Sequence, residues 1–177
     1  PPIIFFVDGI DRFMQSDEDT IPSDLEEELR RNYKFINKIK ECLTALKQRD
    51  FGKLKIDKID GHKCVFREIK VTSNTKKDLA IRIYYDFFKD LEDNSYPVVF
   101  SIVAKDDFKP TKEYNHVANM IGSKAFKDFM KELTNPEKFN KVKRLEELVY
   151  EKIMEIEAQY KSTDLNLNQN VEGGMTK

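Results

Sequence analysis

Three short apolar runs follow one another in the middle of the chain and are joined by polar connections. They cover residues 65–71, 79–88 and 96–104, with connections at 74–78 and 90–95. Apolar runs of this length, bounded by polar turn residues, are typical of strands, and strands joined by hairpin-length connections pair antiparallel. The chain is therefore predicted to build an antiparallel sheet on which the remaining segments pack.

Two more segments have strand character. Residues 3–7 (IIFFV) form a buried apolar run that ends at Asp8-Gly9, and residues 54–59 alternate before the turn signal Asp60-Gly61. The longest of these runs is far too short to span a bilayer, and no signal-peptide layout surrounds it. We therefore expect an α+β fold with a sheet of about four antiparallel strands, no membrane association and a cytoplasmic location.

A long amphipathic helix is predicted between the first strand and the sheet. Ser23 and Glu26 match a capping box, with Pro22 just outside it. The helix is expected to end near residues 49–52, either continuous or broken once into a hairpin. Its apolar residues recur at three- and four-residue spacing: Leu25, Leu29, Ile36, Ile39, Leu43 and Leu46.

The second half is predicted to add helices to the sheet. One helix follows Pro110-Thr111, and another begins at Pro136 and carries an apolar stripe to about residue 160. Residues 161–177 are rich in Asn, Gly, Ser and Thr, a composition typical of disorder. This divides the chain into a domain over 1–135, a C-terminal amphipathic helix over 136–160 and a disordered tail over 161–177.

Charge and cysteine content exclude several function classes. The chain has 31 Lys+Arg and 32 Asp+Glu, a net charge of −1, which predicts no bulk attraction to nucleic acid or membrane. Any site for a polyanion must therefore come from local segregation of charge. Cys42 and Cys64 alone make neither a disulfide framework nor a zinc site.

One candidate site is a pair of residues two apart on a predicted strand. Glu68 and Lys70 would share a face, and an upstream Asp57 or Asp60 could join Glu68 in holding Mg²⁺. This pattern resembles that of the metal-dependent PD-(D/E)xK nucleases. The alternative is an ordinary cross-strand charge pair.

A second candidate is a group of basic and phenolic side chains on and after the sheet. Such a group can bind phosphate and stabilise the transition state of RNA cleavage without a metal ion. The alternative is a solvated sheet face with scattered lysines. The group comprises Arg67, Lys70, Arg82, Tyr84, Tyr85, Lys105, Lys109, Lys112 and Tyr114.

The strand motifs resemble those of a known family. Residues 64–71 (CVFREIKV) and 81–86 (IRIYYD), joined by a polar loop, resemble the paired central strands of the RelE/ParE toxin superfamily. Residues 98–105 with 111–114 (TKEY) resemble that family's last strand and lysine-bearing tail. The layout of an N-terminal strand, a helical hairpin and an antiparallel sheet is also similar, and the resemblance covers about residues 33–122.

The resemblance implies a bacterial toxin held inactive by a cognate antitoxin. RelE-like members cut messenger RNA in the ribosomal A site, where the ribose 2′-hydroxyl attacks the adjacent phosphate without a metal ion or another cofactor. ParE-like members instead act on DNA gyrase. The motifs favour the RelE-like branch, so the expected activity is that of a ribosome-dependent endoribonuclease that inhibits translation.

The resemblance also assigns roles to particular residues. Arg82 matches the strand arginine that contacts the scissile phosphate, Lys70 matches a basic position at the end of the preceding strand, and Lys105 matches the lysine that closes the last strand. Tyr114 matches the downstream tyrosine, and His116 is an alternative proton-transfer group. Further contacts to RNA are expected from Arg67, Lys109 and Lys112.

Several features favour alternatives. The near-neutral charge, and Asp106 and Asp107 at places where family members often carry basic residues, favour a non-catalytic binding module on the same fold, directed at gyrase or another protein. The acidic segment 17–28 could cover the basic face in cis. The stripe of helix 136–160 either packs on the core or binds a partner, as in a homodimer or an antitoxin complex.

Overall fold

The computed structural model describes the backbone of residues 1–60, 63–72, 80–104 and 110–175, and the side chains of these residues except 110 and 162–175. Within these residues, strands and helices are grouped along the chain, as in an α+β fold: three α-helices follow the first strand, four strands come in succession, and three α-helices follow them. The elements are β1 (Ile4–Phe5), α1 (Ile10–Gln15), α2 (Ser23–Arg31), α3 (Ile36–Gln48), β2 (Lys55–Ile59), β3 (Phe66–Thr72), β4 (Ala80–Lys89), β5 (Ser95–Ala104), α4 (Pro110–Gly122), α5 (Lys124–Lys131) and α6 (Pro136–Met175).

The five strands form one mixed sheet in the order β1-β5-β4-β3-β2. Strands β2 to β5 pair antiparallel in sequence order, which confirms the predicted meander. Strand β1 differs from the prediction because it lies parallel to β5, with Ile4 opposite Val98. No hairpin joins β1 to its neighbour, since three helices and three strands intervene, so the rule that predicts antiparallel pairing does not apply to it.

The predicted N-terminal helix is broken. Helix α2 ends at Arg31, a 3-10 turn covers Tyr33–Phe35, and α3 then runs to Gln48. The capping box is not formed, because α2 begins at Ser23 without a capping hydrogen bond from a side chain. At the break, the buried Asn32 side chain donates to the carbonyl of Glu28 at 2.7 Å and satisfies a helix-end oxygen.

Helix α6 packs its apolar stripe on the body of the protein. The buried residues of this stripe are Val142, Leu145, Leu148, Val149, Ile153 and Ile156. The helix continues to Met175, into the segment where the composition predicts disorder, and extending a helix that is already nucleated costs little. No helix in the described part of the chain is both long and apolar enough to cross a membrane.

A buried carboxylate ties α6 to two other elements. Glu146, 5 % exposed, accepts the backbone N–H of Ile3 at 2.6 Å and the ammonium of Lys47 on α3 at 2.6 Å. The Ile3 N–H lies just before β1, at the edge of the sheet. Glu146 therefore satisfies a buried donor that would otherwise have no partner.

We expect Glu146→Ala to lower the free energy of unfolding by about 1–3 kcal/mol, because it leaves the Ile3 N–H buried and unsatisfied. Urea denaturation followed by circular dichroism measures the loss. The neighbouring Glu147→Ala is the control, since Glu147 is exposed and pairs with Arg144 on the surface. Equal stability of the two variants would contradict the assigned role of Glu146.

Candidate functional site

The register of the sheet brings predicted site residues together on one face. Lys70 on β3 lies directly opposite Arg82 on β4, and Glu68 lies directly opposite Tyr84. Residues opposite one another in an antiparallel pair, and residues two apart on a strand, point to the same face. These four side chains therefore form one cluster, which we call the Arg82 cluster.

Arg82 is buried in this cluster and paired with a carboxylate. Its Nε lies 3.1 Å from Oε1 of Glu68, and the two side chains are 9 % and 2 % exposed. Its Nη1 is also buried and has no hydrogen-bond partner among the described residues. A guanidinium in this position carries a compensated charge and has a nitrogen, Nη1, whose N–H groups can still donate.

Lys70 is paired as well. Its ammonium contacts the carboxylate of Asp57, which lies on β2 directly opposite Glu68. Both partners are partly exposed, so water screens this ion pair more than the Glu68–Arg82 pair. Charges of opposite sign thus alternate along this face instead of forming a basic surface.

Helix α4 covers the Arg82 cluster. The ring of Tyr114 packs edge to face on the rings of Tyr84 and Phe66, with centroids 5.6 Å and 6.2 Å apart. One residue earlier, Glu113 accepts a hydrogen bond of 2.7 Å from the hydroxyl of Ser101 on β5. The predicted site residue Tyr114 is therefore brought to the cluster by helix α4 and not by a strand of the sheet.

Burial sets the protonation of the two tyrosines. It raises the pKa of Tyr84 far above its usual value, and the nearby Glu68 carboxylate raises it further. Among the described residues, no hydrogen bond of regular geometry satisfies the buried Tyr84 hydroxyl, although the Glu68 carboxylate is near enough to act on it. Burial and Glu68 also raise the pKa of Tyr114, against the opposing effects of Lys70 and Arg82. Both phenols are therefore neutral well above pH 7, and each can give a proton only to a stronger base, such as an alkoxide.

We expect Tyr84→Phe to increase the free energy of unfolding at pH 7 by about 1 kcal/mol, because it removes a buried hydroxyl for which the described residues provide no hydrogen bond of regular geometry. It should also weaken the alkaline loss of stability. Above pH 10 an unfolded tyrosine releases its proton while buried Tyr84 keeps it, so each such tyrosine costs about 1.4 kcal/mol per pH unit. Urea denaturation measures both effects if it is repeated from about pH 7 to about pH 11, because an unfolded tyrosine titrates near pH 10.

The control for this variant is Tyr33→Phe, which removes a hydroxyl from the surface and should leave the stability at pH 7 unchanged. Tyr85, buried on the other face with its pKa raised to about 12, should keep part of the alkaline loss in both variants. A Tyr84→Phe protein that is less stable than wild type at pH 7 would show that the hydroxyl has a stabilising partner.

Other predicted site residues lie away from the cluster. Arg67 is opposite Tyr85, on the reverse face of the sheet, and pairs with Asp86 at 3.5 Å. Lys112 and His116 are exposed on α4, two residues either side of Tyr114 and thus on the side of the helix turned from the sheet. His116 Nε2 lies 3.6 Å from Asp8. The predicted residues that lie outside the described part of the chain are Lys105 and Lys109.

The acidic segment contacts α6 instead of the cluster. Asp19 binds Arg144 at 2.9 Å, and Glu26 binds Lys152 at 3.2 Å as well as Arg30 in its own helix. Within the residues that the structure describes, these side chains form no ion pair with Lys70 or Arg82. The described geometry therefore gives self-capping by this segment no support.

The residues do not fit a magnesium site of the kind that the nuclease pattern predicts. The predicted residues do share one face of the sheet. Asp57 on β2 lies directly opposite Glu68 on β3, and Lys70 is two residues further along β3. However, Glu68 is committed to Arg82 and Asp57 to Lys70. No group of three or more His, Cys, Asp or Glu side chains in the described ranges comes close enough to hold a metal ion.

Glu113 and Ser101 also belong to this region, and neither they nor the pairing of Arg82 with Glu68 was predicted from the sequence. The sequence contains one indication of the pairing: Glu68 and Lys70 stand two apart on one predicted strand, and the next predicted strand carries Arg82. Predicting the pair needs the strand register, which the connection 73–79 leaves open.

Comparison with known proteins assigns the Arg82 cluster to no family: no protein-family model, curated protein or solved structure matches the chain. The resemblance to RelE/ParE toxins therefore remains a prediction that depends on the strand motifs.

Proposed function

We propose that the chain is a RelE/ParE-like toxin that cleaves messenger RNA on the ribosome, with Arg82 contacting the scissile phosphate. The observation that carries the proposal is the direct cross-strand placement of Lys70 and Arg82 beside Tyr84 and under Tyr114. The buried Nη1 of Arg82, which has no hydrogen-bond partner among the described residues, could donate a hydrogen bond to a phosphate oxygen.

The proposed chemistry needs no metal ion. The ribose 2′-oxygen loses its proton and attacks the adjacent phosphorus, the bond from phosphorus to the 5′-oxygen breaks, and a 2′,3′-cyclic phosphate and a 5′-hydroxyl remain. Arg82 and Lys70 would stabilise the negative charge that develops on the phosphate oxygens. Tyr114, which holds its proton at neutral pH, would protonate the leaving 5′-oxygen. Glu68 would accept the 2′-proton.

This chemistry requires a conformational change, because Arg82 is buried in the structure described. We propose that α4 shifts outward only far enough to admit the phosphate between Tyr114 and Arg82, so that Tyr114 still borders the reacting atoms and the phosphate replaces Glu68 as the partner of Arg82. Both partners of Arg82 are anions, so the exchange keeps the guanidinium paired. A cognate antitoxin, the partner that the family resemblance implies, would oppose this opening. The exposed Lys112 would contact the RNA outside the cluster.

A second candidate function is a non-catalytic binding module on the same fold, directed at gyrase or another protein. The compensation of Arg82 by Glu68 and of Lys70 by Asp57 favours it, because neither cation offers uncompensated charge to a polyanion. In this case the Arg82 cluster would only stabilise the sheet.

Induced expression in bacteria, following growth and translation, separates the two candidates. The RNase function predicts growth arrest, rapid loss of translation, and new messenger RNA ends that carry a 5′-hydroxyl at ribosome-protected positions. Arrest without such ends would favour the binding module. Expression without arrest would contradict the proposal that the chain is an active toxin.

A further inference from the structure

An apolar groove lies between the turn that joins β4 to β5 and the helices α4 and α5. Its volume is about 330 Å³. We call it the lysine-rimmed groove, after Lys89, Lys127 and Lys131 in its lining. Its apolar lining consists of Phe88, Leu91, Ile121, Phe126 and Met130.

The floor of the groove is rigid. The Phe126 ring packs edge to face on Phe88 and on Phe6, with centroids 4.9 Å apart in each case, and on Phe100 at 5.3 Å. Interlocked aromatic rings of this kind have little freedom to fill the groove themselves. At the mouth, Leu91 is 69 % exposed, more than any other large apolar side chain described. The groove is therefore formed in advance and leaves apolar surface in water.

The rim of the groove is basic. Lys89, Lys127 and Lys131 line it together with a single acid, Asp90. The Asp90 carboxylate is turned into its own loop, where it accepts the backbone N–H groups of Glu92 and Asn94 at 2.9 Å. These bonds outweigh burial and hold the pKa of Asp90 below its usual value, so it remains an ionised part of the turn.

The lysines of α5 are available to a partner. Lys127 and Lys131 are exposed, and within the described residues neither forms an ion pair. Lys89 is paired with Asp93 at 3.2 Å on the surface, where such a pair is weak and easily exchanged. Since Asp90 is also in the lining and Lys89 is paired with Asp93, the positive charge available to a partner lies on Lys127 and Lys131.

We propose that the lysine-rimmed groove binds an acidic amphipathic helix of a partner protein. The apolar side chains of that helix would fill the groove over Phe88 and Phe126, and its flanking carboxylates would pair with Lys127 and Lys131. This is the helix-in-groove mode of recognition, in which anchors at i, i+3, i+4 and i+7 enter an apolar groove and charge sets the orientation. The groove shares no residue with the Arg82 cluster, so the inference does not depend on the proposed function.

A short fluorescein-labelled peptide tests the proposal against the full chain. The peptide carries Leu at helical anchor spacing and Glu on both flanks, and its counterpart carries Lys in place of every Glu. Fluorescence anisotropy should show saturable binding of the acidic peptide only. Lys127→Glu/Lys131→Glu should weaken this binding by about tenfold or more, and Leu91→Asp should also weaken it.

The matched control is Lys34→Glu/Lys143→Glu, which changes the net charge equally with exposed lysines outside the groove. Its affinity for the acidic peptide should equal that of wild type. Equal binding of the two peptides, no saturable binding, or equal losses in the two double variants would each overturn the proposal. Displacement of the acidic peptide by a single-stranded oligonucleotide would assign the groove to nucleic acid instead and would overturn it too.

Discussion

Arg82→Ala should lower the free energy of unfolding by about 3–5 kcal/mol, because it leaves the buried carboxylate of Glu68 without its partner. If the proposed function is correct, the same change abolishes translation arrest. The single variant therefore cannot separate a catalytic arginine from a structural one. Urea denaturation and induced expression of the same variant would both show a large effect in either case.

The double variant Glu68→Leu/Arg82→Met separates the two roles. Replacing a buried ion pair by apolar side chains of similar volume is often neutral or stabilising, so most of the lost stability should return. An RNase would remain inactive, because the site has lost both the guanidinium that contacts the phosphate and the carboxylate that accepts the 2′-proton. A stable double variant that still arrests translation would contradict the proposed role of Arg82.

Arg144→Ala is the control for the arginine itself. Arg144 is exposed on α6 and pairs with Asp19, Glu147 and Glu151 on the surface. Its removal should change stability far less than Arg82→Ala and should leave translation arrest intact. Loss of arrest in this variant would mean that the assay reports general damage to the protein and not the Arg82 cluster.

Deleting residues 1–24 should prevent folding altogether. The deletion removes β1 and its neighbours, and every residue from Ile3 to Val7 is at most 7 % exposed. Burying one such side chain stabilises a protein by about 1.5–3 kcal/mol, whereas a whole domain has a stability of about 5–15 kcal/mol. Soluble yield and far-ultraviolet circular dichroism measure the outcome. A soluble, folded deletion variant would contradict the placement of β1 in the sheet.

Self-capping by the acidic segment therefore has to be tested without deletion. The triple variant Asp17→Asn/Glu18→Gln/Asp19→Asn removes three charges and leaves the buried residues in place. Because Asp19 binds Arg144 on α6, we expect growth arrest to remain at the wild-type level. Stronger arrest in the triple variant would support the hypothesis that this segment covers the face of the sheet that carries Lys70 and Arg82.

Much of the fold could be predicted from local patterns. The predicted strands at 65–71 and 96–104 match β3 and β5 to within a residue or so, and Pro136 begins α6 as predicted. The apolar stripe of α6 is buried within the chain, which confirms the first of its two interpretations. Each of these features depends on periodicity and turn residues that act over only a few positions along the chain.

The candidate site was predicted less completely. Lys70, Arg82 and Tyr114 do come together, but Arg67 points to the reverse face because it is an odd number of residues from Lys70. His116 and Lys112 face outward because each is two residues from Tyr114 on a helix. These three placements follow from periods of 2 and 3.6, so a stricter use of periodicity would have predicted them.

By itself, the sequence determined the antiparallel pairing of β2 to β5 and the apolar stripes of α2, α3 and α6, because these depend on neighbours close along the chain. It did not predict α1. Only the tertiary structure decided that β1 lies parallel to β5, that Glu68 neutralises Arg82, and that α4 covers both. Those contacts join segments that are far apart in sequence, or neighbouring strands whose pairing register the sequence does not determine. Their free energy comes from burial and charge pairing that no local pattern encodes.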